Sequence, residues 1–137
     1  MRPNEPIVLP DVLIIGVRKA GTGALRHFLT LHPNLIAPNK ELHFFDKDQN
    51  YEKGLAQYSR QLPKKERDSQ LLLEKTPGYF FRGQAPERIA KDLPSVKLIL
   101  IVREPFTRMM SGYVNFDVGN RKRAPAFEVN IFLFSAV

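Results

Sequence analysis

With 137 residues, 43% of them apolar, the chain amounts to about one small domain with material for one core. Its net charge of +7 favours polyanionic partners, whether nucleic acid, anionic membrane or sulfated polysaccharide, and charge alone does not choose among them. The absence of cysteine excludes a disulfide or thiolate metal site, no apolar run approaches the roughly 18 residues of a membrane span, and residues 1–6 lack the apolar core of a signal peptide.

Residues 1–11 hold three prolines and are expected to form an extended lead-in. Residues 12–17 are nearly all apolar, the pattern of a parallel strand covered on both faces. They lead into Arg18-Lys19-Ala20-Gly21-Thr22-Gly23 and a helical pattern over 22–31. Ala24, Leu25, Phe28, Leu29 and Leu31 are its apolar positions, and His32-Pro33-Asn34 its stop. A strand that ends at glycines and opens a helix aims backbone N–H groups and a positive dipole end at one point, where a phosphate belongs. A nucleotide loop of the form G-x-x-x-x-G-K-[ST] needs lysine directly after its second glycine. Gly16 and Gly21 keep that interval and Thr22 follows, but the lysine stands at Lys19, and G-x-G-x-x-G is not met either. The stretch suits a single phosphate-like group, with an ordinary strand-to-helix turn as the alternative. His27 and His32 have no partner at ligand spacing and are expected to be a solvated helix residue and a helix-end residue.

In an extended segment over 39–46, Glu41, His43 and Phe45 point one way, and Leu42, Phe44 and Asp46 the other. Glu41 and His43 then share a face, where a carboxylate beside an imidazole makes an acid/base pair. The alternative is that both line the exposed face of a strand packed through Leu42 and Phe44. Residues 51–62 predict an amphipathic helix with Leu55, Tyr58 and Leu62 inward, and residues 64–68 a solvated charged turn. Leu71-Leu72-Leu73 opens a second buried strand that runs into Glu74-Lys75-Thr76-Pro77. Charged residues at the carboxyl end of a parallel strand lie where open α/β sheets bind ligands. Lys75 is thus a binding candidate or else a surface lysine, and Glu74 is expected to pair with a nearby cation.

Residues 85–92 begin a helix near Pro86, and residues 97–102 read as a third buried strand. Strands alternating with helices predict an α/β fold with a parallel sheet and right-handed crossovers. Arg103-Glu104-Pro105 follows directly, with Arg108 and Ser111 in a helical pattern. A helix running back past the loop would put the forked donor of Arg103 and the hydroxyl of Ser111 on one phosphate; a strand-end ion pair is the alternative. Residues 119–123 read as a basic turn. Residues 127–137 form an apolar tail, either a last strand or sequence foreign to the fold.

Four of these stretches occur in a familiar order: Arg18-Lys19-Ala20-Gly21-Thr22 with Ala24-Leu25, Glu41-Leu42-His43-Phe44-Phe45-Asp46, Glu74-Lys75-Thr76-Pro77-Gly78-Tyr79-Phe80, and Arg103-Glu104-Pro105 followed by Ser111. Over roughly residues 10–118 they resemble the motifs of heparan sulfate glucosamine 3-O-sulfotransferases, which use 3′-phosphoadenosine 5′-phosphosulfate (PAPS). The resemblance implies a P-loop-like three-layer α/β sandwich with a central parallel sheet, incomplete here. Residues 1–11 would be the lead-in, 12–118 the amino-terminal half of the domain and 119–137 a divergent or truncated tail. In the family the domain continues for about as many residues again, with further donor contacts, acceptor residues and a disulfide.

By the same resemblance, Lys19, Ala20, Gly21, Thr22 and Gly23 hold the 5′-phosphosulfate, and Arg103 and Ser111 the 3′-phosphate. Glu41 is the general base, with Lys19 as the second catalytic group. Arg18, Glu41, His43, Asp46, Lys47, Lys75 and Asn115 face the acceptor, heparan sulfate or a heparin-like polysaccharide, in the Golgi lumen. No metal and no nucleic acid are implied. Two positions depart from the pattern: Gly23 stands where arginine is common, and Gly112 where aspartate is. The alternatives are an inactive fragment that binds PAPS, its desulfated product PAP or sulfated polysaccharide, and a P-loop kinase.

Overall fold

Four short strands, β1 (Val12–Gly16), β2 (Leu35–Ile36), β3 (Leu71–Lys75) and β4 (Lys97–Leu100), form one sheet in the order β2-β3-β1-β4. Every pairing is parallel. The intervening helices are α1 (Thr22–Leu29), α2 (Asp48–Tyr51), α3 (Gly54–Ser59) and α4 (Ala85–Asp92), and α5 (Pro105–Gly119) follows β4. The fold is therefore α/β with a central parallel sheet, as the alternation of patterns predicts. These elements belong to a computed structural model that describes residues 6–119, with side chains through Asn115. They fall into two units, Met1–Val102 and Arg103–Val137, each taken here by itself. The basic residues and apolar tail expected from 120 onward lie outside the described residues.

In the first unit β1 is central, and both its faces are covered. Leu13 and Ile14, on opposite faces by strand alternation, are each fully buried. Leu13 and Leu72 share one face with Phe44, Phe45, Tyr58, Tyr79 and the α4 residues Ala85, Ile89 and Leu93. On this face the Phe44 and Tyr58 rings stack at 4.3 Å, and Phe45 meets Tyr58 and Tyr79 edge-on at 5.4 and 5.5 Å. Such pairs add roughly 0.5–1.5 kcal/mol each beyond the area they bury. At the strand starts, Asp11 Oδ2 accepts from Leu72 N–H at 2.7 Å and from Lys65 Nζ at 2.8 Å, so the charged 64–68 turn is tied to the sheet through Lys65.

Several expectations need correction. The single helix over 51–62 is two: α2 ends at Tyr51 and α3 begins at Gly54, whose φ of 79° lies outside the helical region. Tyr58 and Leu62 are buried all the same. Residues 39–46 form no strand, because His43 takes φ of 50° and interrupts the alternation; Phe44 and Phe45 then both enter the core. Among the described residues β4 pairs only with β1, at the edge of the sheet, and Leu98 and Leu100 are 54% and 43% exposed rather than buried. Phe28 of α1 and Leu31 beyond its end, both in the predicted apolar pattern, are exposed, whereas Thr22 at the start of α1 is buried. β2 is two residues long, too short to leave a periodic signal.

In the second unit, the Glu104 carboxylate caps α5. It accepts from the N–H groups of Phe106 at 2.9 Å and Thr107 at 2.7 Å and from the Thr107 hydroxyl at 2.6 Å. These bonds, the Thr107 hydroxyl first, lower its pKa. Among the described residues no helix is long and apolar enough to cross a membrane.

Candidate functional site

The carboxyl ends of β1 and β3 lie side by side, and the chain leaving each carries the candidate groups. After β3, the turn at 76–80 folds onto β1: Thr76 N–H donates to Ile14 O at 3.2 Å and Phe80 N–H to Ile15 O at 2.9 Å. Gly16 is required at this crossing, since a Cβ there would sit 2.8 Å from Phe80 Cβ and 3.3 Å from Pro77 O.

Beyond Gly16 the chain turns through Arg18, Lys19 and Ala20 to Gly21, which adopts φ of 94° and stands at the N-cap of α1. Only glycine takes that conformation without strain. The first helical bond runs from Leu25 N–H to Gly21 O at 2.9 Å, so the amides of Thr22, Gly23 and Ala24 precede it. No side chain caps them and no acidic residue stands in the first turn. A Cβ at Gly21 or Gly23 would meet nothing within 4 Å, which leaves open space over the loop. Uncapped amides, a positive helix end and two flanking cations fit a phosphate-like anion. The expected loop residues Lys19, Ala20, Gly21, Thr22 and Gly23 are thus brought together, with Arg18 exposed beside them.

The second group is a row of four ionisable side chains. Lys75, the last residue of β3, donates from Nζ to Glu41 Oε1 at 2.6 Å; Glu41 Oε2 lies 3.3 Å from His43 Nε2; His43 Nδ1 lies 2.9 Å from Asp46 Oδ2. Glu41 and His43 keep 32% and 23% of their side-chain surface, while the Asp46 side chain is fully buried. Among the described residues Asp46 Oδ1 has no hydrogen-bond partner. The positive φ of His43 turns its ring back between the two carboxylates, so Glu41 and His43 do meet, although not through a shared strand face. Asn50 Nδ2 donates to His43 O at 2.9 Å and steadies this turn. The close approach at Gly78, where a Cβ would lie 2.6 Å from Asp46 Oδ2, makes that glycine part of the site. No periodicity marks either Asn50 or Gly78.

Glu74 departs from expectation. Among the described residues it pairs with no cation; it lies fully buried, with Thr76 Oγ1 donating at 2.5 Å and Tyr58 OH at 3.3 Å. Burial pushes its pKa up, against bonds from Thr76, Tyr79, Tyr58 and the Leu42 backbone. Burial likewise raises the phenols of Tyr58 and Tyr79 far above their ordinary range.

The remaining expected residues lie elsewhere along the chain. Lys47 is exposed at the N-cap of α2. Arg103, Ser111 and Asn115 belong to the second unit: Arg103 follows β4 after two residues, Ser111 is half-buried on α5, and Asn115 is exposed on it. A cleft lined by Leu9, Leu71, Leu93, Val96 and Lys97 opens at the amino ends of the strands, away from both groups.

Comparison with known proteins agrees with this geometry. The chain is 45% identical over 115 residues to heparan sulfate glucosamine 3-O-sulfotransferase 5 of Homo sapiens, covering 84% of this chain and 33% of that protein. It is 46% identical over 120 residues to the human 3-O-sulfotransferase 3B1, covering 88% and 30%, and 50% identical over 104 residues to the human 3-O-sulfotransferase 6, covering 76% and 30%. The chain therefore spans about a third of the length of these relatives. In structure it is similar to a sulfotransferase from Alicyclobacillus acidocaldarius, with TM-score 0.75 and 23% identity over 89% of this chain and 55% of that one, which supports the fold. The sulfotransferase domain family matches residues 9–135, nearly the whole chain, and the chain belongs to that family.

Proposed function

We propose that this chain carries the donor loop and the base of a heparan sulfate glucosamine 3-O-sulfotransferase, which moves a sulfo group from PAPS to the 3-hydroxyl of a glucosamine. The observation that carries the reading is the Glu41 carboxylate, half-exposed and held between Lys75 and His43 at the carboxyl edge of the sheet. It stands one strand away from an uncapped, cationic helix entrance. The relatives named above support the acceptor and the position sulfated.

PAPS supplies a sulfo group already activated by its bond to a phosphate. The amides from Ala20 to Gly23 and the amino end of α1 hold the 5′-phosphate, and Lys19 neutralises the charge that gathers there as the S–O bond breaks. Glu41 removes the proton from the acceptor hydroxyl while its oxygen bonds to sulfur. Lys75 fixes Oε1, and Oε2 faces His43. Asp46, bonded to Nδ1, orients the imidazole so that Nε2 is directed at Glu41. Arg103 and Ser111 are assigned to the 3′-phosphate from their sequence motif, and binding energy at that remote group would orient the donor. Arg18, Lys47 and Asn115 are assigned to the polyanionic acceptor on the same ground. The net charge of +7 suits such an acceptor. The Golgi lumen is the compartment this reading implies.

The test is transfer of radiolabelled sulfate from PAPS to heparan sulfate, followed by disaccharide analysis of the product. Label at the glucosamine 3-hydroxyl supports the reading, and label at another position overturns the regiochemistry. Folded protein that binds heparin and PAP without transferring label would be a binding fragment.

A further inference from the structure

We infer that Glu74 is the positioning residue of the acid/base row: one buried carboxyl that, through the Thr76 hydroxyl, holds the backbone amide of His43 in the turn bearing the row. This inference rests on the function proposed above for that row. Glu74 meets the turn through one hydroxyl. His43 N–H reaches it through Thr76, donating to Oγ1 at 3.4 Å, while that hydroxyl donates to Glu74 Oε1 at 2.5 Å. The next amide, Phe44 N–H, donates to the Tyr79 phenol oxygen at 3.1 Å. Tyr58 OH takes Oε2 at 3.3 Å and closes the set of donors.

The need for such an anchor follows from the local backbone. Residues 41–46 belong to no strand, so no ladder holds their amides, and His43 sits at φ of 50°, a conformation that a non-glycine residue keeps only under constraint. Glu74 is also covalently next to Lys75, the residue that holds Glu41 Oε1. By strand alternation the two side chains leave β3 on opposite faces. One strand end thus sets the backbone of the base from below and its carboxylate from the side. Buried networks of this kind specify a single geometry only when every member is satisfied. In the bonds that reach it the carboxyl acts as an acceptor, which predicts that an amide carbonyl can replace it.

The experiment records the imidazole ¹⁵N shifts of the three histidines, and kcat for sulfo transfer, in the 137-residue chain. Glu74→Met keeps length and packing but removes every acceptor, whereas Glu74→Gln keeps one carbonyl. The groups facing His43 are Glu41 and Asp46, with Lys75 behind Glu41, and all remain in both variants. Glu74→Met is expected to displace both ring nitrogens of His43, leave His27 and His32 in place and lower kcat at least tenfold, with PAP affinity unchanged. Glu74→Gln is expected to restore the His43 shifts and most of kcat. A folded Glu74→Met with wild-type His43 shifts overturns the inference, as does a fall in kcat matched by an equal loss of PAP affinity. Should Glu74→Met not fold, Thr76→Val removes the bridging hydroxyl at nearly constant volume, and unchanged His43 shifts in that variant overturn it too. The spectra need no turnover, so a wild type without transfer defeats the proposed function and still leaves this question decided.

Discussion

Replacing Glu41 by glutamine separates what the site contributes to chemistry from what it contributes to stability. In the fold, Glu41 makes a 2.6 Å bond to Lys75 and a 3.3 Å contact with His43, and about a third of its side chain remains in water. Half-exposed pairs of this kind are worth roughly 0–1 kcal/mol, and glutamine keeps an oxygen for Lys75. For a chain of 137 residues, 1 kcal/mol corresponds to a Tm shift of about 3–4 °C. The variant should therefore melt within about 4 °C of wild type. Sulfo transfer should fall by about 10²–10⁴, the usual contribution of a positioned base, or about 3–5 kcal/mol of barrier. Calorimetric melting and a PAPS-dependent radiolabel assay measure the two effects on the same sample. A rate within threefold of wild type in a folded variant would refute the assignment of the base. So would a loss of rate that merely follows a large fall in Tm.

Three further outcomes follow from the packing. Gly78→Ala puts a Cβ 2.6 Å from Asp46 Oδ2, so it should cost about 1–3 kcal/mol in urea unfolding and lower kcat more than KM as Asp46 shifts away from His43. Phe44→Ala removes a fully buried ring stacked on Tyr58 and should cost about 3–5 kcal/mol; a cost under 1 kcal/mol would show that this aromatic cluster is not the core. The raised pKa of Glu74 has a definite sign: a carboxyl that holds its proton more tightly when folded stabilises fully below its unfolded value near 4.5 and loses that contribution as pH rises toward the folded value. Wild type should thus lose stability relative to Glu74→Gln as pH increases from about 4.5, and a difference that grows the other way in urea melts would contradict it.

How much of this was legible in the chain depends on the range over which each feature is determined. The β1 strand and the glycine-bearing turn are local: an apolar run, three glycines and a helix entrance within residues 12–25 suffice to mark a strand, a turn and a helix start. The partnership of Glu41 with His43 is also local, and Lys75 was marked by its place at a strand end. The way these groups meet was not legible, because the alternation rule presumes extended backbone and His43 leaves it. The burial of Glu74 was misread for a related reason. Its partner Tyr58 is distant in sequence, so a carboxylate beside a lysine looked like half of an ion pair. The break between α2 and α3 rests on one glycine with positive φ, which the hydrophobic pattern crosses without a mark. The edge position of β4 is a property of the sheet order, and its residues are as apolar as those of β1.

The claim on which the account chiefly depends is that the loop from Lys19 to Gly23 holds the 5′-phosphate of the sulfo donor. Titration calorimetry of PAP into the wild-type chain and into Lys19→Ala tests it directly. The account predicts binding by wild type that weakens at least tenfold in the variant, with both proteins folded. Equal affinities, or a folded wild type that takes up no PAP, would contradict it.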